Sequence, residues 1–521
     1  MQGQPVYTSK RKTDDTGKLS TWMQSLIYAA ALLVVILSSY LVATTPYGFY
    51  LLGAVIAAVG GLVVINRPSI GVYVLVMFVY LNLSDILEVQ FGIPSANKLL
   101  VALIAVAILG TRLIIQRKPL VFGVGGALII LHSIIIIVSV LAGNPLLVDT
   151  GVMLDIVKDL AILFIILQVS TSEKTWKTAQ WVLLGSAALL SLLTAYQAVT
   201  GNYEQEFFGL AQAPFHQIVG EFDSARPTGP VADPNFYAML LLMVVPIGVY
   251  RVYGEKDILL RAIAAIATGL IMLAIILTYS RTAFIMMIAV AGLIALERKY
   301  NIYTLGLLAV SAVTIAIPFL PSGFMERLAT MGQLARIATD PTAITEASLR
   351  GRTSQVLAAL YMVRDYPILG VGYDNYPDYY LEFSAPLGLD NRLEARDTHN
   401  LFLESLAETG IIGFGAFMTM LGMIIWLLQK RKQLMEEIGR VDLSMWLSGV
   451  QFGLIAYLLT SMALHDDYIR YFRLILALAA GGIIMANAVY AEHKAEKRKR
   501  EAHKRHDSLD SLERSDTMLL N

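Results

Sequence analysis

The stretch "RDTHNLFLESLAETGIIGFGAFMTMLGMIIWLLQKRK", Arg396 to Lys432, changes character twice. It opens polar, with a histidine and an asparagine ahead of "LFLESLAET", which reads as a short helix ended by Gly410. An apolar run over 409–428 follows, long enough to cross a bilayer, and "QKRK" at 429–432 closes it. A surface helix running into a span with a basic end is the unit from which the fold is read. It also raises a question of chemistry: why His399 stands at a membrane surface.

The rest of the chain is built the same way. Of 521 residues, 56% are hydrophobic and only 15% charged, and the mean hydropathy is +0.62. That composition fits a polytopic membrane protein and not an ordinary soluble domain. The formal net charge is +0, but the charges are segregated. The chain has 0 cysteines, which excludes disulfides, Cys-ligated zinc, iron–sulfur clusters and thiol catalysis. The polar start "MQGQPVYTSKRKTDDTGKLS" leads into an apolar run without a small-residue cleavage site, so a retained first helix is expected.

Apolar runs of spanning length fall near 24–44, 47–65, 70–84, 98–115, 123–142, 151–169, 179–197, 235–253, 260–278, 282–297, 303–320, 409–428, 444–464 and 470–490. That is about fourteen spans in an all-α polytopic fold, with those at 70–84 and 282–297 short. Alternate short loops carry Arg67; Arg112, Arg117 and Lys118; Lys174 and Lys177; Arg251, Lys256 and Arg261; Arg298 and Lys299; and "QKRK". The loops between them carry almost no Lys or Arg. The positive-inside rule then puts both termini in the cytoplasm.

Two long segments, 198–234 and 321–408, fall outside. Segments of that length are usually functional. The second contains "EASLRGRTSQVLAALYMVRDYP", whose Leu349, Val356, Leu360 and Val363 recur near helical spacing, so an amphipathic helix on the membrane face is expected. The Gly- and Tyr-rich "PILGVGYDNYPDYY" follows as a turn region. The organisation is therefore a cytoplasmic tail (1–23), an N-terminal bundle (24–197), a central region with both outer loops (198–428), C-terminal helices (429–490) and a charged tail (491–521). That tail is expected to be disordered or to lie on the anionic inner leaflet.

Seven histidines are present, and no pair has a metal-ligand spacing. His493, His503 and His506 belong to the basic tail, and His132 in "IILHSII" reads as a packed, hydrogen-bonded contact inside a span. His216, His399 and His465 fall outside. His399 stands at a helix N-terminus, whose partial positive charge disfavours imidazolium and favours a nearby anion. Two readings stay open from the residues alone: a general base, or a helix cap at a membrane entry with Asp397, Thr398 or Asn400 doing the capping.

Arg226 in "SARPTGPVADPN" is the one basic residue of its loop and could pair with Glu221 or Asp223. Pro227, Gly229, Pro230 and Pro234 stiffen the backbone around it. Arg281 in "LTYSRTAF" lies at the outer end of a span, in a donor cluster with Ser280 and Thr282. It could instead snorkel to headgroups. Two arginines for an anion and a base for a hydroxyl make a minimal set for group transfer from a diphosphate-linked donor.

These segments resemble a known family. "HNLFLESLAETGIIG", His399 to Gly413, is similar to the histidine motif of bacterial O-antigen ligases and Wzy-type O-antigen polymerases. That motif has His, then Asn, Ser or Gln, nine residues, Gly, two residues, and a small residue or Tyr. It is met at His399, Asn400, Gly410 and Gly413. "RPTGPVADPNFYAML", "SRTAF" and "GRTSQVLAALYMVRDYPILGVGYDNY" resemble the family's earlier segments and its large periplasmic loop, over roughly 200–425. Each motif alone is weak, and their order on one membrane side is more specific. The family's ligases have typically twelve spans, so additional N-terminal helices are expected here.

The resemblance implies a GT-C-like glycosyltransferase of the bacterial inner membrane. It would be metal-independent and inverting, with no cofactor, and its site would face the periplasm. The donor would be a glycan on undecaprenyl diphosphate. By carry-over Arg226, Arg281 and Arg352 bind the diphosphate and His399 activates the acceptor hydroxyl, with Asn400, Ser280 and Asp233 in support. The acceptor could be a core sugar on lipid A (ligase), a second lipid-linked repeat (polymerase) or a protein serine (O-oligosaccharyltransferase). Expected partners are these substrates, the bilayer and polysaccharide-assembly proteins, not nucleic acid. Two other classes are a secondary transporter, for which Asp155, Lys158 and Asp159 on one helix face are the candidate groups, and a scaffold in an export complex.

Overall fold

The computed structural model of the chain describes residues 60–92, 96–142, 150–219, 222–231, 233–299, 347–389, 394–464 and 469–519. The expected spans at 24–44 and 303–320, most of that at 47–65, and His465 lie outside the described residues. The described residues from Pro68 onward belong to one compact unit, which holds the candidate site.

In chain order that unit begins with α1 (Pro68–Tyr80) and α2 (Leu83–Phe91), bent by 64° across left-handed Asn82. α3 (Ala96–Leu109) runs into a π-helical turn at Gly110–Ile115. Then come α4 (Gly123–Ala142), α5 (Thr150–Val169) and α6 (Glu173–Thr200). A hairpin of β1 (Phe215–Val219) and β2 (Phe222–Arg226) precedes α7 (Pro234–Gly254), α8 (Ile258–Leu277) and α9 (Arg281–Glu297). The last group is α10 (Ala347–Asp365), α11 (Tyr376–Ser384), α12 (Leu401–Glu437), α13 (Val441–Thr460) and α14 (Ile469–Leu519).

Among the described residues 7 helices are long and apolar enough to cross a membrane: α4, α6, α7, α8, α12, α13 and α14. The bent α1–α2 pair raises that to 8. α5 coincides with the expected span at 151–169 but carries Asp155, Lys158 and Asp159, and α9 has 17 residues. The protein is an all-α polytopic membrane protein, with one small hairpin among the described residues.

α7 and α13 form the centre of the bundle, both largely enclosed by other helices. They pack antiparallel through glycines. A Cβ on Gly453 would stand 2.7 Å from the Met243 carbonyl oxygen, and one on Gly449 would stand 3.1 Å from Ile247 Cα. "GVQFG", Gly449 to Gly453, is a small-xxx-small pattern that lets two backbones approach where lipid removes the hydrophobic drive between helices.

Four expectations need correction. The 198–234 loop holds an unexpected β-hairpin besides a 3-10 turn at Phe207–Gly209; five-residue strands separated by two residues are too short to show a clear alternation. The charged tail is helical through Leu519, since no Gly or Pro follows Gly482 and strong helix formers dominate. "QKRK" is not a loop: α12 continues through it, and Lys432 is buried with its ammonium on Glu297 and Gln451. His132 is packed on the Phe417 ring at 5.3 Å, as expected, but its buried Nδ1 has no hydrogen-bond partner among the described residues.

The Arg396–Lys432 unit has the predicted break. Within α12, Gly410 leaves the helical region at φ 60°, ψ −169°, conformations open essentially to glycine. The "PILGVG" segment pairs with the backbone there. Val371 N donates to Ala407 O at 3.0 Å, Gly372 N to Glu408 O at 3.0 Å and Ile411 N to Pro367 O at 3.0 Å. A Cβ on Gly410 would stand 2.3 Å from Ile368 C and O, and one on Gly370 would stand 2.3 Å from Glu408 C. The short polar helix 401–409 is thereby separated from the span that follows.

This geometry separates two glycines five residues apart. Gly410→Ala meets both a strained φ and a backbone clash and should lower the thermal midpoint of the purified protein, at a cost of at least about 1–3 kcal/mol. Gly415→Ala meets nothing within 4 Å in a helical stretch and should leave the midpoint unchanged or raise it. Equal midpoints for the two variants would contradict the docking.

Candidate active site

His399 lies just before α12, at φ 50°, partly exposed. Its neighbours do the capping. Asn400 Oδ1 accepts from Phe402 N and Leu403 N, both at 3.1 Å. The Thr398 hydroxyl accepts from Asn400 N at 3.1 Å and donates to Glu404 Oε2 at 2.8 Å. The α12 N-terminus is also tied to the end of α13: Leu401 N donates to Ser461 O at 3.0 Å and Asn400 Nδ2 to Met462 O at 3.0 Å. Of the open readings, the cap belongs to Asn400, and the His399 ring is not needed for it.

Arg226 ends β2 and is 9% exposed. Its Nε donates to Thr278 O at 3.1 Å and its Nη2 to Asn235 Oδ1 at 3.2 Å. The guanidinium thus joins the first turn of α7 to the segment just before α9. The stiff turn after it is held in place: Thr228 N donates to Gln212 O at 2.8 Å and Asn82 Nδ2 to Pro230 O at 2.8 Å. Gly229 has φ +58°, and a Cβ there would stand 2.4 Å from the Tyr237 ring. Glu221 and Asp223, the alternative partners, have no described side chains.

Arg281 is the first residue of α9 and is partly exposed, behind left-handed Tyr279 and the cap Ser280. Ser280 Oγ accepts from Ala283 N at 3.4 Å. Asp233 caps α7, accepting from Asn235 N at 2.7 Å and Phe236 N at 2.8 Å. The three supporting residues, Asp233, Ser280 and Asn400, therefore share one local role: each is the N-cap of a helix.

Those helix ends lie at one end of the bundle. Ser461, which holds Leu401 N through its carbonyl, has its hydroxyl 3.5 Å from Met239 Sδ. Met239 is one helical turn from Asn235, the partner of Arg226. Arg226 is thus bonded to Thr278, three positions before Arg281, and the His399 helix is linked to Arg226 through α13 and α7.

Arg352 enters by another path. It is partly exposed on α10, beside Ser354 and Gln355, which accept from Tyr380 Oη at 3.1 Å and Tyr376 Oη at 2.8 Å. α10, α11 and the 401–409 helix share a core of Ala358, Ala359, Met362, Tyr376, Tyr380 and Ala407.

Residues that sequence reasoning missed complete this frame: Asn235, Thr278, Ser461 and Glu408. Glu408 is buried, and its Oε1 accepts from Tyr376 N at 3.2 Å. It lies ahead of the Gly410 break, outside the span. Burial, with the Asp374 and Asp397 charges adding to it, pushes its carboxyl up to about 8. Among the described residues no three His, Asp or Glu side chains form a metal-binding group.

The raised Glu408 carboxyl binds its proton more tightly folded than unfolded. Its contribution to stability is therefore complete below about pH 4.5 and lost as pH rises through about 8. The thermal midpoint should fall across that window, and Glu408→Gln should flatten the fall; an unchanged slope in the variant would contradict the assignment.

Comparison with known proteins identifies the region. Residues 266–418 match the family model of the O-antigen ligase, a span that holds Arg281, Arg352, His399 and Glu408 but not Arg226. No curated protein sequence matches. Among solved structures, a chain from work titled "Structural coordination of polymerization and crosslinking by a peptidoglycan synthase complex" is similar over 70% of this chain and 97% of its own. Its identity is 17% and its TM-score 0.35, too low to carry an argument. The chain is a multi-pass membrane protein whose residues 266–418 match the O-antigen ligase family model.

Proposed function

We propose that the protein transfers a glycan from an undecaprenyl-diphosphate donor to an acceptor hydroxyl, on the outer face of a bacterial inner membrane. The observation that carries the reading is the gathering of three capped helix N-termini, those of α7, α9 and α12, around Arg226, Arg281 and His399 at one end of the bundle. Each helix N-terminus carries about half a positive charge. Arginine adds bidentate donors suited to phosphate oxygens.

In this reading His399 takes the proton of the acceptor hydroxyl as its oxygen attacks the anomeric carbon. The bond from that carbon to the phosphate oxygen breaks, and undecaprenyl diphosphate leaves with the bonding pair. Attack opposite the leaving group inverts the anomeric centre. Arg226, Arg281 and Arg352 neutralise the charge that develops on the diphosphate, the role a metal plays in other phosphate chemistry. The polyprenyl tail lies in lipid, so the scissile bond sits at headgroup depth. The two termini are cytoplasmic, and the acceptor is a glycan, as in a ligase or polymerase.

His399→Ala should reduce transfer by about 10²–10⁴-fold with normal membrane insertion; unchanged polymer in cells carrying it would sink the base assignment. Arg281→Ala and Arg226→Ala should each lose transfer. Arg226→Ala should also lower stability by about 1–3 kcal/mol, because its bonds to Thr278 and Asn235 go with it. Deletion of the gene should cause lipid-linked glycans to build up, single repeats for a polymerase and full-length chains for a ligase. No build-up would favour transport or scaffolding.

A further inference from the structure

Glu408 stands where three pieces of the candidate site meet. Its side chain accepts from Tyr376 N, the first residue of α11, and from the backbone at Asp374. Its main-chain oxygen accepts from Gly372 N at 3.0 Å and from Ser139 Oγ on α4 at 3.1 Å. One residue therefore holds the 372–376 turn from both its side chain and its backbone, and fastens the turn to a span.

The turn in turn fixes α11, and α11 fixes α10. Tyr376 and Tyr380 are fully buried, and their hydroxyls reach Gln355 O and Ser354 Oγ. Those residues follow Arg352 by two and three positions on the same helix. Glu408 itself is nine residues beyond His399, at the far end of the short helix that Asn400 caps. A path of hydrogen bonds and packed rings thus runs from the His399 helix through Glu408 and α11 to the Arg352 helix.

A buried carboxyl is costly unless its hydrogen bonds are made, so it tolerates few alternative arrangements of its partners. That is the property a joint needs. We infer that Glu408 is a positioning residue, which holds the Arg352 helix at a fixed place relative to His399. The inference rests on the transfer reading above for its functional meaning, but the geometric part stands apart from it.

The absence of cysteine makes the test clean, because any introduced pair can be labelled alone. Spin labels at Glu382→Cys on α11 and Thr419→Cys on the spanning part of α12, both exposed, report how the α11 module sits on α12. In the full chain in lipid nanodiscs, the distance distribution should be narrow. It should stay narrow in Glu408→Gln, which keeps an acceptor oxygen, and broaden in Glu408→Ala. Transfer from an undecaprenyl-diphosphate oligosaccharide should fall about 100-fold in kcat for Glu408→Ala, the scale of an ångström-sized misplacement, and fall less for Glu408→Gln.

Unchanged distances in Glu408→Ala overturn the inference, whether or not rate is lost. Broadened distances with an unchanged rate also overturn it. Retained transfer in His399→Ala would instead sink the base assignment, and the distance result would still decide whether Glu408 holds the joint.

Discussion

The candidate site depends on one backbone contact, the docking of the 367–372 segment against the break at Gly410. Neither partner tolerates a side chain: both Gly410 and Gly370 bring backbone within 2.3 Å of where a Cβ would be. The contact divides a 37-residue helix into a polar segment of about two turns and a membrane span. Without the break, a continuous helix would carry the 401–409 face along the span axis. With it, the short helix is held by Asn400 and Ser461 at one end and by Glu408 and Gly410 at the other. His399 is the residue that this double attachment presents.

Around it the bundle uses few charges and uses them locally. Cap bonds are worth about 1 kcal/mol each, and the helix-end charge falls off within a turn. Such effects matter here because α7, α9 and α12 begin at the same end of the bundle. The interior supplies the rigidity. Glycine contacts between α7 and α13 fix the relation of Met239 to Ser461, and so of Arg226 to the His399 helix. At the opposite end, the buried Lys432 is satisfied by Glu297 and Gln451, which anchors α12 to α9 and α13. A buried pair of that kind adds little net stability but penalises any arrangement that separates its partners.

Much of this was legible in residue order, because its physics is local. Span lengths, the amphipathic helix at 347–365, and the helix before Gly410 with Asn400 among its cap candidates follow from composition and short spacing, whereas Asp233 and Ser280, expected to support donor binding, are themselves caps. His399, Arg226 and Arg281 could be singled out because polar residues stand out at the ends of apolar runs. What could not be read was long-range. Asn235 becomes an arginine partner only once β2 folds back on α7, and Glu408 meets Tyr376 across 32 positions of sequence. Arg226 looked like a presented ligand-binding group, yet its guanidinium also bonds the scaffold. The Gly449–Gly453 contact had a visible pattern, but its partner helix did not.

The activity proposed for this end of the bundle is the transfer of a glycan off a lipid diphosphate. The direct test is reconstitution of the purified full chain with a defined undecaprenyl-diphosphate oligosaccharide and a hydroxyl acceptor. Released undecaprenyl diphosphate and the anomeric configuration of the product are measured together. One undecaprenyl diphosphate should be released per new glycosidic bond, with inversion at the transferred sugar. Release without a new bond, or a product with retained configuration, would contradict it.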